Sequence, residues 1–167
     1  MRQVSVSEAF KRKYPEQIAL AVSADADGRP DVITLGWAMS TSNEPPMVAI
    51  SVGHTRHSHE LIAKSGEFVL AFPAPELAEA CLLCGTKSGR DTDKIAAAGL
   101  APVPARLVKP PLLAKCVVNL ECKVRGSLVT GDHTIFAGEI VAAYIDESVS
   151  ERLCNFGGKF CAARPKA

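Results

Sequence analysis

A chain of 167 residues that is 47% hydrophobic can bury one core without a second domain, so we expect residues 1–167 to form a single domain. Its 19 basic and 18 acidic side chains nearly cancel, and a net charge of +1 gives no field that would attract nucleic acid or an anionic membrane. No apolar stretch reaches the ~20 residues of a membrane-spanning helix, and the charged segment Met1 to Tyr14 lacks the apolar block of a secretory signal. We therefore expect a cytoplasmic protein.

The first third of the chain predicts three strands. The short apolar run Ile18 to Ser23 ends in a segment rich in turn residues, Asp25 to Pro30, and β-branched and aromatic residues resume over residues 31–40. These two strands form a predicted hairpin. After a break at Asn43-Glu44-Pro45-Pro46, alternating small and large apolar residues predict a third strand over Met47 to Val52.

A polar loop then leads into the middle of the chain, where short helices are predicted. Ser58 stands where it could cap a helix that runs through Leu61 and Ile62 and ends at Gly66. The elements predicted next are a strand over residues 67–72 and helices over 75–83 and 91–98.

The last part of the chain predicts a connector and a hairpin. Four prolines between residues 101 and 111 favour an extended surface segment. Leu120, Cys122 and Val124 alternate with charged residues, which predicts a strand with one buried and one wet face, and residues 131–133 turn it into a partner over 134–146. About six strands without regularly interspersed long helices favour a mainly β fold with short helices, in which an antiparallel sheet curls into a barrel.

The six cysteines are expected to stay reduced in a cytoplasmic protein of this size. Cys81 and Cys84 have a C-x-x-C spacing that can serve redox chemistry or bind zinc. Because Leu77, Cys81 and Cys84 also have the i, i+4, i+7 spacing of a buried helical stripe, we favour core packing. A thiol-based redox protein that depends on Cys84 is the alternative.

Several familiar sites lack support in this sequence. No G-x-G-x-x-G opens a helix, the segment Gly85-Thr86-Lys87-Ser88 lacks the residue order of a phosphate loop, and no G-x-S-x-G is present. His54, His57 and His59 lie within six residues but lack the spacing of a helical metal site, so no metal is predicted.

Two polar loops are the best candidates for binding. Arg56, Ser58 and the start of the helix offer donors and a positive dipole end that suit a phosphate, although a solvated loop with an ordinary helix cap fits the spacing equally well. Residues 85–94 form a second polar loop, with glycines for close approach and three basic residues. Both loops occur together with a single tryptophan, Trp37, in the second strand, which favours the binding interpretation.

In their order and spacing, these segments resemble the FMN-binding flavin reductases, and among them most the flavoredoxins. The resemblance extends from about Tyr14 to Phe160. The matching segments are Gly36-Trp37, residues 43–46, 56–62 and 65–69, Ser88 to Asp91 with Asp93-Lys94, Pro110 to Leu112, and residues 131–139.

The resemblance implies a split β-barrel of Greek-key type, usually a homodimer, with one FMN held non-covalently in each subunit. It implies that Arg56, His57 and Ser58 bind the phosphate with help from Lys94, and that the ring lies along Trp37 and residues 39–42. The residues expected to contact the cofactor are Asp31, Trp37, Met39, Ser40, Thr41, Ser42, Ser51, Arg56, His57, Ser58, Ser88, Arg90, Lys94, His133 and Phe160. Phe156 is the alternative to Phe160 as a cover for the ring, and Asp31 and Ser58 stand where relatives often have Asn or Thr.

The implied function is that of an oxidoreductase, in which electrons pass from a reduced donor through FMN to an acceptor. The flavin performs the chemistry, so no catalytic side chain is predicted. The sequence shows no nicotinamide motif, and both an NADH- or NADPH-dependent reductase and a carrier that exchanges electrons with a protein remain open. From a different class, a non-catalytic FMN-binding module could act as a sensor or flavin store.

Overall fold

The computed structural model describes residues 1–164, and its regular structure consists mostly of antiparallel strands. The strands are β1 (Glu16–Gln17), β2 (Ala19–Ala24), β3 (Pro30–Leu35), β4 (Ala38–Asn43), β5 (Pro46–Gly53), β6 (Glu67–Pro73), β7 (Pro102–Val103), β8 (Leu112–Leu113), β9 (Cys116–Thr130), β10 (His133–Ile145), β11 (Arg152–Asn155) and β12 (Phe160–Ala163). The helices are α1 (Val6–Phe10), α2 (His57–Ser65), α3 (Ala78–Thr86) and α4 (Lys94–Ala97), and a 3-10 turn at Pro75–Leu77 precedes α3.

The central sheet has seven strands in the order β3-β2-β6-β9-β10-β5-β4. Every neighbouring pair is antiparallel, and the long hairpin of β9 and β10 forms its middle. The two edge strands, β3 and β4, are not joined to each other, so the sheet is a split barrel rather than a closed one. This confirms the predicted mainly β fold.

Strand β2 lies at the centre of the core because both of its faces are covered. Leu20 and Val22 pack in one apolar cluster with α3, and Ala19 and Ala21 pack in the other with α2 and β6. Successive side chains of a strand point to opposite faces, so one fully buried strand contributes to both clusters.

The C-x-x-C pair belongs to this core. Cys81 and Cys84 are 0% and 1% exposed, and burial raises their pKa values to about 12 and about 11. Both thiols therefore stay protonated at neutral pH, which is the state of inert structural cysteines. The prediction of core packing is confirmed, and the thiol-based alternative loses its support.

One buried carboxylate holds the proline-rich connector against the sheet. Glu121 is 0% exposed, and its oxygens accept the backbone N–H groups of Arg106, Leu107 and Val108 at 2.9, 2.6 and 3.1 Å and the Tyr144 hydroxyl at 2.6 Å. Burial opposes ionisation, but these donors outweigh it and hold the pKa of Glu121 below its ordinary value. The prediction of a wet face at this position was wrong, because the connector covers it.

The structure also differs from the predicted elements in several bounds. The helix predicted over residues 75–83 is a 3-10 turn followed by α3, and the helix predicted over 91–98 is the short α4, which begins where the Asp93 carboxylate accepts the N–H of Ala96 at 3.1 Å. The hairpin of β11 and β12 was not predicted, and it pairs with β1 in a three-stranded sheet. No helix in the described part of the chain is long and apolar enough to cross a membrane.

Candidate functional site

Two polar loops that are distant in sequence line one cavity of about 100 Å³. Residues 55–58, at the start of α2, form one side, and residues 85–89, at the end of α3, form the other. Ile33, Cys84 and Lys94 complete the lining. The structure thus brings together the two loops that the sequence presents separately.

The start of α2 has no side-chain cap. Arg56 is the N-cap residue in extended conformation, and its side chain makes no capping hydrogen bond. The first N–H groups of a helix have no partner within the helix, so they and the positive end of the helix dipole are available to an anion in the cavity. The prediction that Ser58 caps this helix was wrong, since Ser58 lies inside its first turn.

Ser58 instead belongs to a buried polar cluster in the wall of the cavity. Its hydroxyl donates to Asp31 Oδ2 at 2.5 Å, and Lys94 Nζ lies 2.8 Å from Asp31 Oδ1. Lys94 and Asp31 are 3% and 4% exposed, so the ion pair is almost fully removed from water. The positive charge of Lys94 is therefore balanced within the protein, and Asp31 positions both neighbours.

The remaining donors of the cavity lack protein partners. Within residues 1–164, neither Arg56 nor Lys87 forms an ion pair. The Nδ1 atom of His57 is buried without a hydrogen-bond partner, and the nearest carboxylate oxygen, on Glu60, is 4.0 Å away. Buried polar atoms are rarely left unpaired, so this set of donors fits a bound phosphate group. Lys87 was not among the predicted site residues, although it is one of the three basic residues of the second polar loop.

Arg90 and Ser88 connect the second loop to α2. Arg90 donates to Glu60 Oε2 and to the Thr55 carbonyl oxygen, both at 3.2 Å, and its own N–H donates to Ser88 Oγ at 3.2 Å. Hydrogen bonds from Lys64 and Arg90 hold the pKa of Glu60 below its ordinary value. Arg90 therefore fixes the shape of the cavity wall, and its charge is shared with Glu60.

Gly89 allows the second loop to approach Asp31 closely. A Cβ atom at this position would lie 2.1 Å from Asp31 Oδ1 and 3.1 Å from His57 Cδ2. Real atoms do not approach so closely, so any side chain here would displace the loop or the buried cluster.

A second, apolar cavity of about 180 Å³ lies beside Trp37. Its lining consists of Trp37, Ala38, Met39, Ala49, Ile50, Ser51 and Ile135. Trp37 is 47% exposed, and its ring centroid is 4.9 Å from that of His133. A large apolar side chain left exposed beside a cavity indicates a binding surface.

Strand β4, which borders this cavity, is an edge strand with a bulge. Ser40 pairs with Val48 and Ser42 with Met47, so Thr41 has no partner in β5. A bulge leaves backbone N–H and C=O groups of the extra residue outside the ladder. The predicted ring-binding segment, residues 39–42, therefore presents free backbone groups next to the apolar cavity.

Gly53 and His133 link the two cavities. His133 pairs with Gly53, and a Cβ built on Gly53 would lie 3.4 Å from His133 Nε2 and 3.7 Å from Arg56 Cγ. On its other side the ring of His133 contacts Trp37, and its Nδ1 lies 2.6 Å from Asp132 Oδ1. This bond to His133 holds the pKa of Asp132 below its ordinary value.

The tail aromatics belong to the hairpin of β11 and β12. Phe160 begins β12 and Phe156 lies in the turn before it, at 36% and 58% exposed. Among residues 1–164, no aromatic contact joins either ring to Trp37. The small sheet reaches the apolar cavity through Gln17, whose Nε2 donates to the Ala38 carbonyl oxygen at 2.5 Å.

Comparison with known proteins identifies the family. The family model of the flavin reductase like domain matches residues 11–164. The chain belongs to this family. The resemblance predicted from the sequence is confirmed.

Individual relatives agree with this membership. An uncharacterized protein of Archaeoglobus fulgidus is 39% identical over 128 residues, which cover 77% of this chain and 71% of the relative. An NADH-dependent FMN reductase of Streptomyces nodosus subsp. asukaensis is 24% identical over 142 residues, 83% of this chain and 74% of its own. The crystal structure of flavoredoxin from Methanosarcina acetivorans superimposes with a TM-score of 0.83 at 26% identity, covering 100% of this chain and 94% of that one.

Proposed function

We propose that this chain binds one FMN and acts as an oxidoreductase that passes electrons through it. The observation that supports the proposal is that only Gly53 and His133 stand between a residue of the polar cavity and one of the apolar cavity: Gly53 lies next to Arg56, and His133, which pairs with Gly53, lies beside Trp37. A molecule with a phosphate at one end and a flat aromatic ring at the other would place the phosphate in the polar cavity and the ring in the apolar one. The relatives named for FMN reduction and as flavoredoxin agree with it.

In the proposed complex, the start of α2 with Arg56 and His57 binds the phosphate, and Lys87 adds positive charge. Asp31 positions Ser58 and Lys94 in the wall of that cavity rather than contacting the ligand itself. Trp37 and Met39 form the apolar wall for the ring, and the bulge at Thr41 offers backbone groups to its polar edge.

When bound, FMN supplies the redox chemistry, and the protein supplies orientation and electrostatics. His133 lies between the two cavities with Nδ1 held by Asp132, so its imidazolium form would stabilise negative charge near the ring. Lys94 has a smaller part in this than the sequence predicts, because Asp31 balances its charge.

The binding proposal is tested by comparing FMN with riboflavin, which lacks the phosphate. Arg56→Ala removes a charge-assisted contact, so it should weaken FMN binding about 10-fold or more, with riboflavin binding nearly unchanged. Arg125→Ala is the matched control, because Arg125 is exposed and its one ion pair among residues 1–164 is with Glu139 at the surface. Equal losses for both ligands would show that Arg56 does not bind the phosphate, and no binding of either would refute the proposal.

The electron-transfer proposal is tested by anaerobic mixing of the FMN-loaded protein with NADH or NADPH. Bleaching of the flavin absorbance, followed by steady turnover with an acceptor, is the result expected for a reductase. A flavin that resists both nucleotides but is reduced by a protein donor would identify a carrier. A flavin that exchanges electrons with neither would favour a sensor or store.

We further propose that the protein is a cytoplasmic homodimer. Leu128, Ile135 and Ser51 occupy one row across β9, β10 and β5, and this row continues the apolar surface of Trp37 and Met39. Leu128 and Met39 are 62% and 58% exposed, and a second copy of the chain would cover them. A cytoplasmic location fits the six cysteines, all of which are free.

A further inference from the structure

Two cysteines face each other in the hairpin of β11 and β12. Cys154 pairs directly with Cys161 in the antiparallel register. Directly opposed residues of antiparallel strands point to the same face, with Cα atoms about 4.5 or 5.5 Å apart. Both values fall within the range of about 4.4 to 6.8 Å that a disulfide requires. The backbone therefore already has a geometry in which these two thiols can be joined.

These two thiols also differ from the other four in access to solvent. Cys161 is exposed and Cys154 is half-buried, whereas Cys81, Cys84, Cys116 and Cys122 are buried. Burial raises the pKa values of these four to between about 11 and about 12. Thiol exchange requires a thiolate that the reagent can reach, so the facing pair is the reactive one.

The pair lies on a direct path to the proposed flavin site. Gln17 of β1 pairs with Cys154, so Gln17, Cys154 and Cys161 form one row across the three-stranded sheet. The Gln17 side chain donates to the Ala38 carbonyl oxygen and accepts a bond from Arg152. Ala38 lines the apolar cavity beside Trp37. Only strand β1 and the side chain of Gln17 therefore separate this hairpin from the cavity.

We propose that Cys154 and Cys161 form a reversible disulfide by exchange with a small-molecule disulfide such as oxidised glutathione. The Cys161 thiolate attacks one sulfur of the reagent and releases one thiolate, which leaves a mixed disulfide on Cys161. The Cys154 thiolate then attacks the Cys161 sulfur and releases the second thiolate. The two protein thiols lose two electrons and two protons, and the reagent gains them as two thiols.

The consequence is a covalent link across the hairpin that carries Phe156 and Phe160. The link fixes the register of β11 and β12 and therefore the base of the turn between them. An oxidising environment would hold this hairpin rigid near β4, the strand proposed to contact the flavin ring, and a reducing environment would release it. The inference does not require FMN to be bound, so it can fail or succeed independently of the proposed function.

The test equilibrates the full chain with mixtures of oxidised and reduced glutathione, followed by acid quenching and mass spectrometry. The expected product is a protein lighter by two hydrogen atoms, with one cross-linked peptide that joins Cys154 to Cys161 and is lost on reduction. Cys154→Ser should stop at a single glutathione adduct on Cys161. Peptides with Cys81 and Cys84 should stay unmodified in the same sample, which is the internal control.

Hydrogen exchange gives a second readout. Amide protons in residues 152–163 should exchange about 10-fold or more slowly in the oxidised than in the reduced wild type, because the link suppresses local opening. Cys161→Ser should show no such difference. A wild type that takes up one glutathione on each cysteine, cross-links other cysteines or forms only intermolecular disulfides would overturn the proposal.

Discussion

Asp31 connects three separate parts of the proposed phosphate site. It accepts the Ser58 hydroxyl from α2, pairs with Lys94 at the start of α4, and contacts the second loop at Gly89. A carboxylate in a phosphate site would ordinarily repel the ligand. Here its charge is balanced by Lys94, so it acts as a buried support for the groups around it.

The main effect of removing Asp31 should therefore be a loss of folding stability rather than a change in the flavin chemistry. Asp31→Ala leaves the Lys94 ammonium buried without a partner, which should lower the free energy of unfolding by ~3–5 kcal/mol. Urea unfolding of wild type and variant measures this loss in free energy. Glu76→Ala is the control, since it removes an exposed pair with Lys115 at 3.5 Å and should cost less than ~1 kcal/mol. If the two variants were equally destabilised, the buried pair of Asp31 and Lys94 would contribute no more to stability than an exposed pair.

Gly89→Ala should weaken FMN binding with a smaller effect on global stability. The added Cβ would overlap Asp31 Oδ1, so the second loop has to move away from the cavity that it lines. We expect a loss of about 10-fold in FMN affinity, measured by fluorescence titration.

Gly85→Ala is the matched control for that prediction. Gly85 lines the same cavity, but its added Cβ would lie 3.5 Å from Thr34 Cβ, an ordinary contact. Unchanged affinity in Gly89→Ala, or an equal loss in both variants, would contradict the role given to the close approach of Gly89.

At the scale of elements, strands could be predicted where apolar and polar side chains alternate. The prediction was less accurate where another segment covers a face that the alternation assigns to solvent. Turn residues and apolar runs correctly indicated β2, β5 and the β9–β10 hairpin, whereas the single strand predicted over residues 31–40 is split into β3 and β4, with Trp37 between them. Glu121 was misjudged because a charged residue usually faces water, and the alternation cannot reveal that the connector supplies three backbone donors to it and Tyr144 of β10 a fourth. The β11–β12 hairpin was missed because its four-residue strands have no clear apolar face.

Glu121 should make the attachment of the connector depend on pH. Its folded-state pKa lies below the ordinary value, so its stabilising effect is present at neutral pH and is lost as the pH falls through that lowered pKa. Glu121→Gln replaces one acceptor oxygen with a donor that faces backbone N–H groups, and we expect a cost of ~2–3 kcal/mol at neutral pH.

Two measurements check this prediction. The difference in unfolding free energy between wild type and Glu121→Gln should shrink in acid, as the pH falls through the lowered pKa of Glu121 and the wild-type carboxylate becomes protonated. Amide exchange at Arg106, Leu107 and Val108 should be faster in the variant at neutral pH. A stability difference that stays constant with pH would show that the charge of Glu121 is not what holds the connector.

At the scale of the whole molecule, the candidate site exists because the fold brings residues 55–58 and residues 85–89 to the same cavity. Arg56 and Ser58 were predicted from a helix start and the second loop from its glycines and basic residues. Spacing alone left the first loop equally consistent with a solvated loop, and it favoured an exposed helix connection for the second. Their common cavity exists because α2 and α3 both pack on β3. Non-local packing of this kind is not encoded in any local pattern, so the resemblance to a family was needed to predict it.

Leu128→Glu should separate the proposed dimer into monomers. Leu128 is largely exposed in the described chain, so a charge there costs the monomer little but would be buried in the interface. Sedimentation velocity should show a shift toward the monomer. Ile145→Glu is the control, because Ile145 is 70% exposed on β10 outside the apolar row and should leave the dimer intact. A wild type that is monomeric at all concentrations would refute the dimer.

The bulged edge strand β4 has a further consequence for handling the protein. An uncovered edge strand presents unpaired backbone groups that can recruit a strand from another molecule, which is how aggregation begins. In the proposed complex the flavin covers the bulge of this edge strand. The flavin-free protein is therefore expected to precipitate more readily on storage, and added FMN should act as a solubilising agent during purification.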